Sequence, residues 1–166
     1  MAADTLYDEI QREIAKYPDR RSAILPALRL AQEHHGWLSP EAIEAVADGL
    51  DLPAARCMAV ASFYDMFFLQ PVGEHVVEVC TNLSCALVGS DRLLRTFEEQ
   101  LGVKAGNTTP DGKVTLRTVE CLGGCGWGPV VSVDHAYEEH FSADDVAPLI
   151  ERLRTTPGHG HGGDHA

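Results

Sequence analysis

Hydrophobic residues recur every three or four positions through the first part of the chain, which is the period of a helix with one buried face. The pattern predicts four helices, over residues 4–17, 22–35, 39–49 and 51–64. Ser39 followed by Pro40 is a typical helix start, because the hydroxyl caps a free N–H group and proline fits the first turn. We expect Gly36 and Gly49 to end the second and third helices, since glycine readily takes the left-handed conformation.

The pattern changes after Pro71, where short runs rich in valine alternate with helical runs. We predict strands over residues 75–80, 114–119, 130–133 and 136–141, and helices over residues 89–101 and 142–153. The last two strands are expected to form a hairpin, so the order is β-α-β-β-β-α. The predicted fold class is therefore α+β, with an N-terminal helical bundle segment (residues 1–70), a β-α-β-β-β-α domain (71–155) and a disordered Gly- and His-rich tail (156–166).

Composition and charge narrow the class of partner. The chain has 166 residues, 45% of them hydrophobic, so it can bury a core. Its 13 Lys and Arg against 25 Asp and Glu give a net charge of −12, which repels nucleic acid and anionic lipid. Residues 41–64 resemble a helix-turn-helix only in outline, because Arg56 is their one basic residue. With no apolar run long enough for a membrane span and no secretory signal, we expect a cytoplasmic protein with protein partners, no nucleic acid and no direct membrane insertion.

Four of the five cysteines form two close pairs, Cys80 with Cys85 and Cys121 with Cys125. Four residues lie within the first pair, three within the second, and 35 between the pairs. Each pair follows a predicted strand. Two such loops at the same edge of one sheet would bring the four thiols together. The fifth cysteine, Cys57, lies in an apolar helical run and is interpreted as a core residue.

Several chemistries suit two cysteine pairs. Disulfides are rare in a reducing cytoplasm, and a thiol-disulfide enzyme would need Cys-x-x-Cys spacing. Structural zinc, as in an interaction module, accepts the spacing of both pairs and stays an alternative. The four glycines within residues 121–129 favour an iron-sulfur cluster, because glycine lets the backbone approach a bulky inorganic core and direct N–H groups at its sulfurs.

Two motifs carry a resemblance to a known family, Cys80-Thr81-Asn82-Leu83-Ser84-Cys85 and Val119-Glu120-Cys121-Leu122-Gly123-Gly124-Cys125. Together with residues 35–38, 61–64 and 108–112, they make the chain similar, over about residues 5–153, to the small peripheral iron-sulfur subunit of NADH:quinone oxidoreductase, the E subunit of bacterial respiratory complex I. The resemblance implies a thioredoxin-like ferredoxin domain behind the helical segment. It also implies one 2Fe-2S cluster per chain, with Cys80, Cys85, Cys121 and Cys125 as its ligands.

The same resemblance implies an electron-transfer subunit that is not catalytic alone. It would exchange single electrons with FMN on a flavoprotein partner that also binds NADH, within a complex at the inner face of the membrane. The helical segment would clamp this partner. Nucleotides are expected on the partner because the one G-x-G-x-x-G string, at residues 158–163, follows no predicted strand and precedes no predicted helix. Diaphorase modules of NAD-reducing hydrogenases and NAD-dependent formate dehydrogenases use similar chains, and the cysteine pattern does not separate these assemblies.

Aromatic residues stand at two further places. Phe63 and Tyr64 end the fourth predicted helix, and Phe67 and Phe68 follow it. These residues could form a surface that docks a partner, but we expect them to pack between the two predicted units, because a dense aromatic group there more often holds two units together. Trp127, two residues after the last cysteine, could shield a cluster or simply cap a core. The residues alone do not decide between these roles.

Overall fold

The computed structural model describes residues 2–158, with side chains from residue 5 onward. The chain divides into two compact units, and the division lies between Pro71 and Val72. Most of the predicted Gly- and His-rich tail, residues 159–166, lies outside the described part of the chain. No helix among residues 2–158 is long and apolar enough to cross a membrane.

The first unit consists of four helices, and each was predicted. They are α1 (Ala2–Ile14), α2 (Ile24–His35), α3 (Pro40–Leu50) and α4 (Ala54–Ala61), with a short 3-10 helix (Arg20–Ala23) before α2. Ser39 caps α3 as expected, since its side chain accepts a hydrogen bond from the Ala42 N–H. The helices bury their apolar faces in one core that includes Leu28, Val46 and Cys57.

The predicted role of Gly49 as a helix end is wrong. Helix α3 continues to Leu50, and Asp51 takes the left-handed conformation with a φ of 53°. Gly49 is buried inside the helix, and a Cβ atom added there would lie 3.0 Å from Cγ2 of Ile10 on α1. The glycine therefore permits close packing of α1 on α3.

The aromatic segment after α4 divides into buried and exposed residues. Phe67 and Phe68 are buried. Gln32 on α2 helps to fix this segment, because its side chain accepts a hydrogen bond from the Phe68 N–H at 2.8 Å and donates one to the Met66 carbonyl at 3.0 Å. Phe63 is 79% exposed, so the prediction that all four aromatic residues are packing residues is wrong for Phe63.

The second unit is a five-stranded sheet with helices. Its strands are β1 (His75–Cys80), β2 (Asn107–Thr108), β3 (Val114–Val119), β4 (Val131–Val133) and β5 (Ala136–Glu138). Its helices are α5 (Leu83–Leu87), α6 (Ser90–Leu101) and α7 (Val146–Thr155). The α+β prediction is confirmed. Strand β2 and helix α5 were not predicted, and β5 ends three residues before the predicted strand, which ran to residue 141.

The sheet order is β2-β3-β1-β4-β5. Strands β1 and β3 are parallel and are linked through α6, whereas the other neighbouring pairs are antiparallel. One hydrophobic core includes Val77 on β1, Leu116 on β3, Phe97 on α6 and Leu149 on α7. This core fixes the register of β1 against β3, and the cysteine pairs follow these two strands.

Candidate functional site

The parallel pairing of β1 and β3 brings the two cysteine pairs to one edge of the sheet. Cys80, the last residue of β1, lies opposite Val119, the last residue of β3. Cys121 lies two residues beyond the end of β3. The Thr81 N–H donates a hydrogen bond to the Val119 carbonyl at 3.0 Å, which holds the two departing segments together.

Cys80 is the centre of the group. Its side chain is buried, and its sulfur interacts with the thiols of both Cys85 and Cys121. Burial by itself would raise the pKa of Cys80, but hydrogen bonds from the backbone N–H groups of Asn82 and Leu122, together with the two neighbouring thiols, lower it below its ordinary value. The surroundings of this sulfur therefore favour the thiolate, which is the form that binds metal.

Cys85 lies on the short helix α5, which the side chain of Asn82 caps by accepting a hydrogen bond from the Leu83 N–H at 2.8 Å. The Cys85 thiol is buried, and burial raises its pKa. A backbone hydrogen bond from Val130 acts in the opposite direction, while the nearby sulfurs of Cys80 and Cys125 raise the pKa further. Raised pKa values of this kind are expected where several thiols share a small volume without a cation among them.

Cys121 and Cys125 form the exposed side of the group. The Gly123 N–H donates a hydrogen bond to the Cys121 sulfur at 3.3 Å, and Gly123 needs its left-handed φ of 80° to do so. Cys125 begins a 3-10 helix, Cys125–Trp127. The structure thus brings together all four cysteines that the sequence singles out, two buried and two exposed. We call Cys80, Cys85, Cys121 and Cys125 the cysteine site.

The donor set suits an iron-sulfur cluster. Among residues 5–158, no three His, Cys, Asp or Glu side chains surround one point as the ligands of a single metal ion do. A two-iron cluster does not need such a group, because its four thiolates are shared between two irons. Backbone N–H groups are directed at the sulfurs of Cys80, Cys85 and Cys121, and such hydrogen bonds would stabilise a negatively charged cluster held there.

Comparison with protein families agrees with this donor set. The family model of the thioredoxin-like 2Fe-2S ferredoxins matches residues 10–154. This chain belongs to that family. Its cofactor is therefore a 2Fe-2S cluster, and the thioredoxin-like ferredoxin fold implied by the sequence motifs is confirmed.

Individual relatives of this ferredoxin cover most of the chain. It is 43% identical over 150 residues to the second E subunit of the NADH-quinone oxidoreductase of Rhizobium meliloti (strain 1021), a match that covers 90% of this chain and 89% of the relative. It is 45% identical over 144 residues to the E subunit of the NADH-quinone oxidoreductase of Rickettsia bellii (strain RML369-C), covering 85% and 86% of the two chains.

A solved structure has the same fold. A chain of the NAD+-reducing NiFe-hydrogenase in the H2-reduced state superposes with a TM-score of 0.72 at 21% identity, over 81% of this ferredoxin. The match spans only 22% of the hydrogenase chain. At this identity the likeness describes the shared fold.

Two glycines let the backbone pack against the cysteine site of this ferredoxin. A Cβ atom added at Gly128 would lie 3.3 Å from the Cys85 sulfur and 3.1 Å from Cγ2 of Val88. At Gly124 an added Cβ would lie 2.9 Å from Cγ2 of Val130. A side chain at either position would therefore crowd the neighbouring residues.

Replacing Gly128 by alanine is expected to displace Cys85 and to loosen cluster binding. The added methyl group overpacks the site, which typically costs about 1–3 kcal/mol. Gly126→Ala is the matched control, because nothing lies within 4 Å of a Cβ added there. Iron released on mild heating should rise for Gly128→Ala and stay at the wild-type level for Gly126→Ala. Equal release from both variants would contradict the close approach at Gly128.

Trp127 and Cys57 have clear positions in the ferredoxin. Trp127 is 52% exposed, so about half of its surface lies in water. Cys57 is buried in the core of the first unit, where burial raises the pKa of its thiol, and the structure confirms its interpretation as a packing residue.

A buried polar contact at the start of β1 was not predicted from the sequence. Nδ1 of His75 lies 2.6 Å from a carboxylate oxygen of Asp134, and Nε2 lies 3.1 Å from the Thr156 carbonyl. The other oxygen of Asp134 accepts a hydrogen bond from the Val76 N–H at 2.7 Å. These contacts fasten β1 to the turn between β4 and β5 and to the chain beyond α7. Only the position of Asp134 immediately after a strand is visible in the sequence, and it is a weak indicator.

Proposed function

We propose that this ferredoxin is the cluster-bearing electron-transfer subunit of an NADH-quinone oxidoreductase, peripheral to the inner face of a cytoplasmic membrane. The names of relatives at 43% and 45% identity, each matched over more than four fifths of both chains, support the assembly. One observation supports cluster binding above all. The parallel pairing of β1 with β3 places the two cysteine pairs next to each other at one edge of the sheet.

In this proposal Cys80, Cys85, Cys121 and Cys125 hold one 2Fe-2S cluster. The site fits the group: four thiols gather, backbone N–H groups are directed at the sulfurs of Cys80, Cys85 and Cys121, and Gly128 leaves room beside Cys85. No Lys or Arg occurs from residue 121 to residue 137. Backbone dipoles therefore carry most of the stabilisation of negative charge on this side of the site.

When bound, such a cluster supplies one-electron chemistry. Hydride transfer from NADH requires a two-electron acceptor such as a flavin, so NADH and FMN are placed on a partner subunit. The two buried cysteines keep water from one side of the site, while Cys121 and Cys125 keep the other side close to the surface. An exposed side suits exchange of electrons with a partner protein. The helical unit would hold that partner.

The test uses the full chain purified alone and together with the FMN-binding subunit of the same organism's complex. We expect about two irons and two acid-labile sulfides per chain, and a spin-half EPR signal after reduction. NADH should produce that signal only when the flavin subunit is present. Stoichiometric zinc without labile sulfide would instead indicate a structural-zinc module, and a cluster that NADH and the flavin subunit leave oxidised would reject the electron-transfer role.

A further inference from the structure

Two successive backbone N–H groups in the loop after β3 are directed at sulfurs from different cysteine pairs. The Leu122 N–H donates a hydrogen bond to the sulfur of Cys80, at the end of β1. The Gly123 N–H donates one to the sulfur of Cys121 at 3.3 Å. Successive N–H groups in a turn can form a concave site for negative charge, and such sites occur at iron-sulfur centres. This short segment therefore supplies donors to both halves of the cysteine site.

The backbone conformation of Gly123 maintains the second of these hydrogen bonds. Its φ of 80° lies in the left-handed region that residues with a Cβ atom rarely adopt. Leu122 is fixed on one side, because its side chain packs against Cys80, Cys85 and Val130. A negative φ at residue 123 would therefore rotate the peptide group that carries the Gly123 N–H, since the chain must still reach the next cysteine. Nothing lies within 4 Å of a Cβ atom added at Gly123, so an alanine there would act through the backbone and not through a steric clash.

Backbone donors matter at this site because basic side chains are absent from the segment. No Lys or Arg occurs from residue 121 to residue 137, and the whole chain carries a net charge of −12. One-electron reduction adds a negative charge to a 2Fe-2S cluster. An N–H group directed at a ligand sulfur therefore stabilises the reduced form more than the oxidised form, and it raises the reduction potential.

We propose that Gly123 is a positioning residue that raises the reduction potential of the cluster by directing its N–H group at the Cys121 sulfur. Glycine has no side chain, so this role depends on the left-handed backbone alone. Another residue that accepts this conformation can therefore replace it. The inference rests on the proposed function, because it requires Cys121 to be a ligand of the cluster.

The test measures the midpoint potential of the cluster-loaded full chain by redox titration followed by EPR. Gly123→Ala should lower the equilibrium constant for reduction about tenfold, or about 59 mV for a one-electron couple, because the N–H group turns away from Cys121. Gly123→Asn should stay within about twofold of the wild type, because asparagine tolerates the left-handed conformation better than alanine does.

Gly102→Ala is the matched control for backbone strain. Gly102 also has a left-handed backbone, with a φ of 70°, and nothing lies within 4 Å of a Cβ atom added there. It ends α6, outside the cysteine site. Its replacement should lower the free energy of unfolding and leave the midpoint potential unchanged.

A second measurement decides the question if Gly123→Ala fails to hold a cluster. Wild-type protein labelled with ¹⁵N-glycine should show a nitrogen coupling in the pulsed EPR spectrum of the reduced cluster. That coupling should be missing from Gly123→Asn labelled in the same way, because the variant has no labelled nitrogen at residue 123. Identical couplings in the two proteins would mean that the Gly123 N–H does not interact with the cluster, and they would overturn the proposal.

The outcomes separate the role of Gly123 from the proposed function. Equal potentials in wild type and Gly123→Ala, or an equal shift in Gly102→Ala, would overturn the role of Gly123 and leave the electron-transfer role intact. A cluster that NADH and the flavin subunit leave oxidised would reject the electron-transfer role alone, because chemical reductants still measure the potential. Wild-type protein without a cluster would reject both.

Discussion

Replacing Cys80 by alanine is expected to abolish the cluster, with iron and labile sulfide falling from about two of each per chain to background. Cys80 is the buried end of β1, and its sulfur interacts with the thiol of Cys85 in its own pair and with that of Cys121 in the other pair. Its loss therefore removes a thiol contact between the two halves of the cysteine site. Alanine is preferred to serine because a serine oxygen can itself bind iron. Iron content, labile sulfide and the EPR signal of the reduced protein give the measurement.

Cys57→Ala is the matched control for this experiment. Cys57 is equally buried but lies in the core of the helical unit. Removing its sulfur should cost about 1 kcal/mol of unfolding free energy, roughly the value of one buried methylene group, and should leave the iron content unchanged. Full cluster content in Cys80→Ala, or loss of the cluster in Cys57→Ala, would contradict the proposed ligand set.

Phe97→Ala is expected to have the largest effect on stability, lowering the unfolding free energy of the second unit by about 3–5 kcal/mol. Phe97 is fully buried on α6 and stacks on Phe141, with ring centroids 5.9 Å apart. The cost is large against the total stability of a small domain, roughly 5–15 kcal/mol. Amide hydrogen exchange along β1 and β3 measures it in this unit directly, because exchange there requires the sheet to open.

Phe63→Ala is the control for the core substitution. The same side chain is removed, but from a position that is 79% exposed, so the change in unfolding free energy should stay within about 0.5 kcal/mol. Similar losses of protection in both variants would mean that Phe97 does not carry the packing of the sheet against α6.

The sequence predicted those parts of the fold that depend on repeated patterns. The four helices of the first unit and strands β1 and β3 follow from hydrophobic periodicity, because each buries one face over several residues. The placement of Cys80 and Cys121 at one sheet edge required only that these two strands be parallel neighbours. The spacing suited zinc as well, and the glycines around the second cysteine pair favoured iron and sulfide.

Features set by tertiary contacts were not visible in the sequence. Helix α5 has five residues, too few for a periodic pattern, and depends on its cap by Asn82. Strand β2 has two residues and exists through its pairing with β3. Glycine is a residue type that often ends helices, so Gly49 was predicted to end α3. Its backbone instead packs closely against the Ile10 side chain, which explains a glycine inside the helix. Phe63 and Phe67 are alike in type, and only the path of the chain exposes one and buries the other.

The register of β1 against β3 also links the cofactor to protein lifetime. Because Cys80 and Val119 lie side by side, a cluster held by both proposed cysteine pairs would act as a cross-link between chain segments some forty residues apart. Free energy of metal binding then adds to the free energy of folding. Protein molecules synthesised during iron limitation would lack the cluster, unfold more often and be degraded sooner. The amount of this protein would then follow the supply of iron through its stability alone.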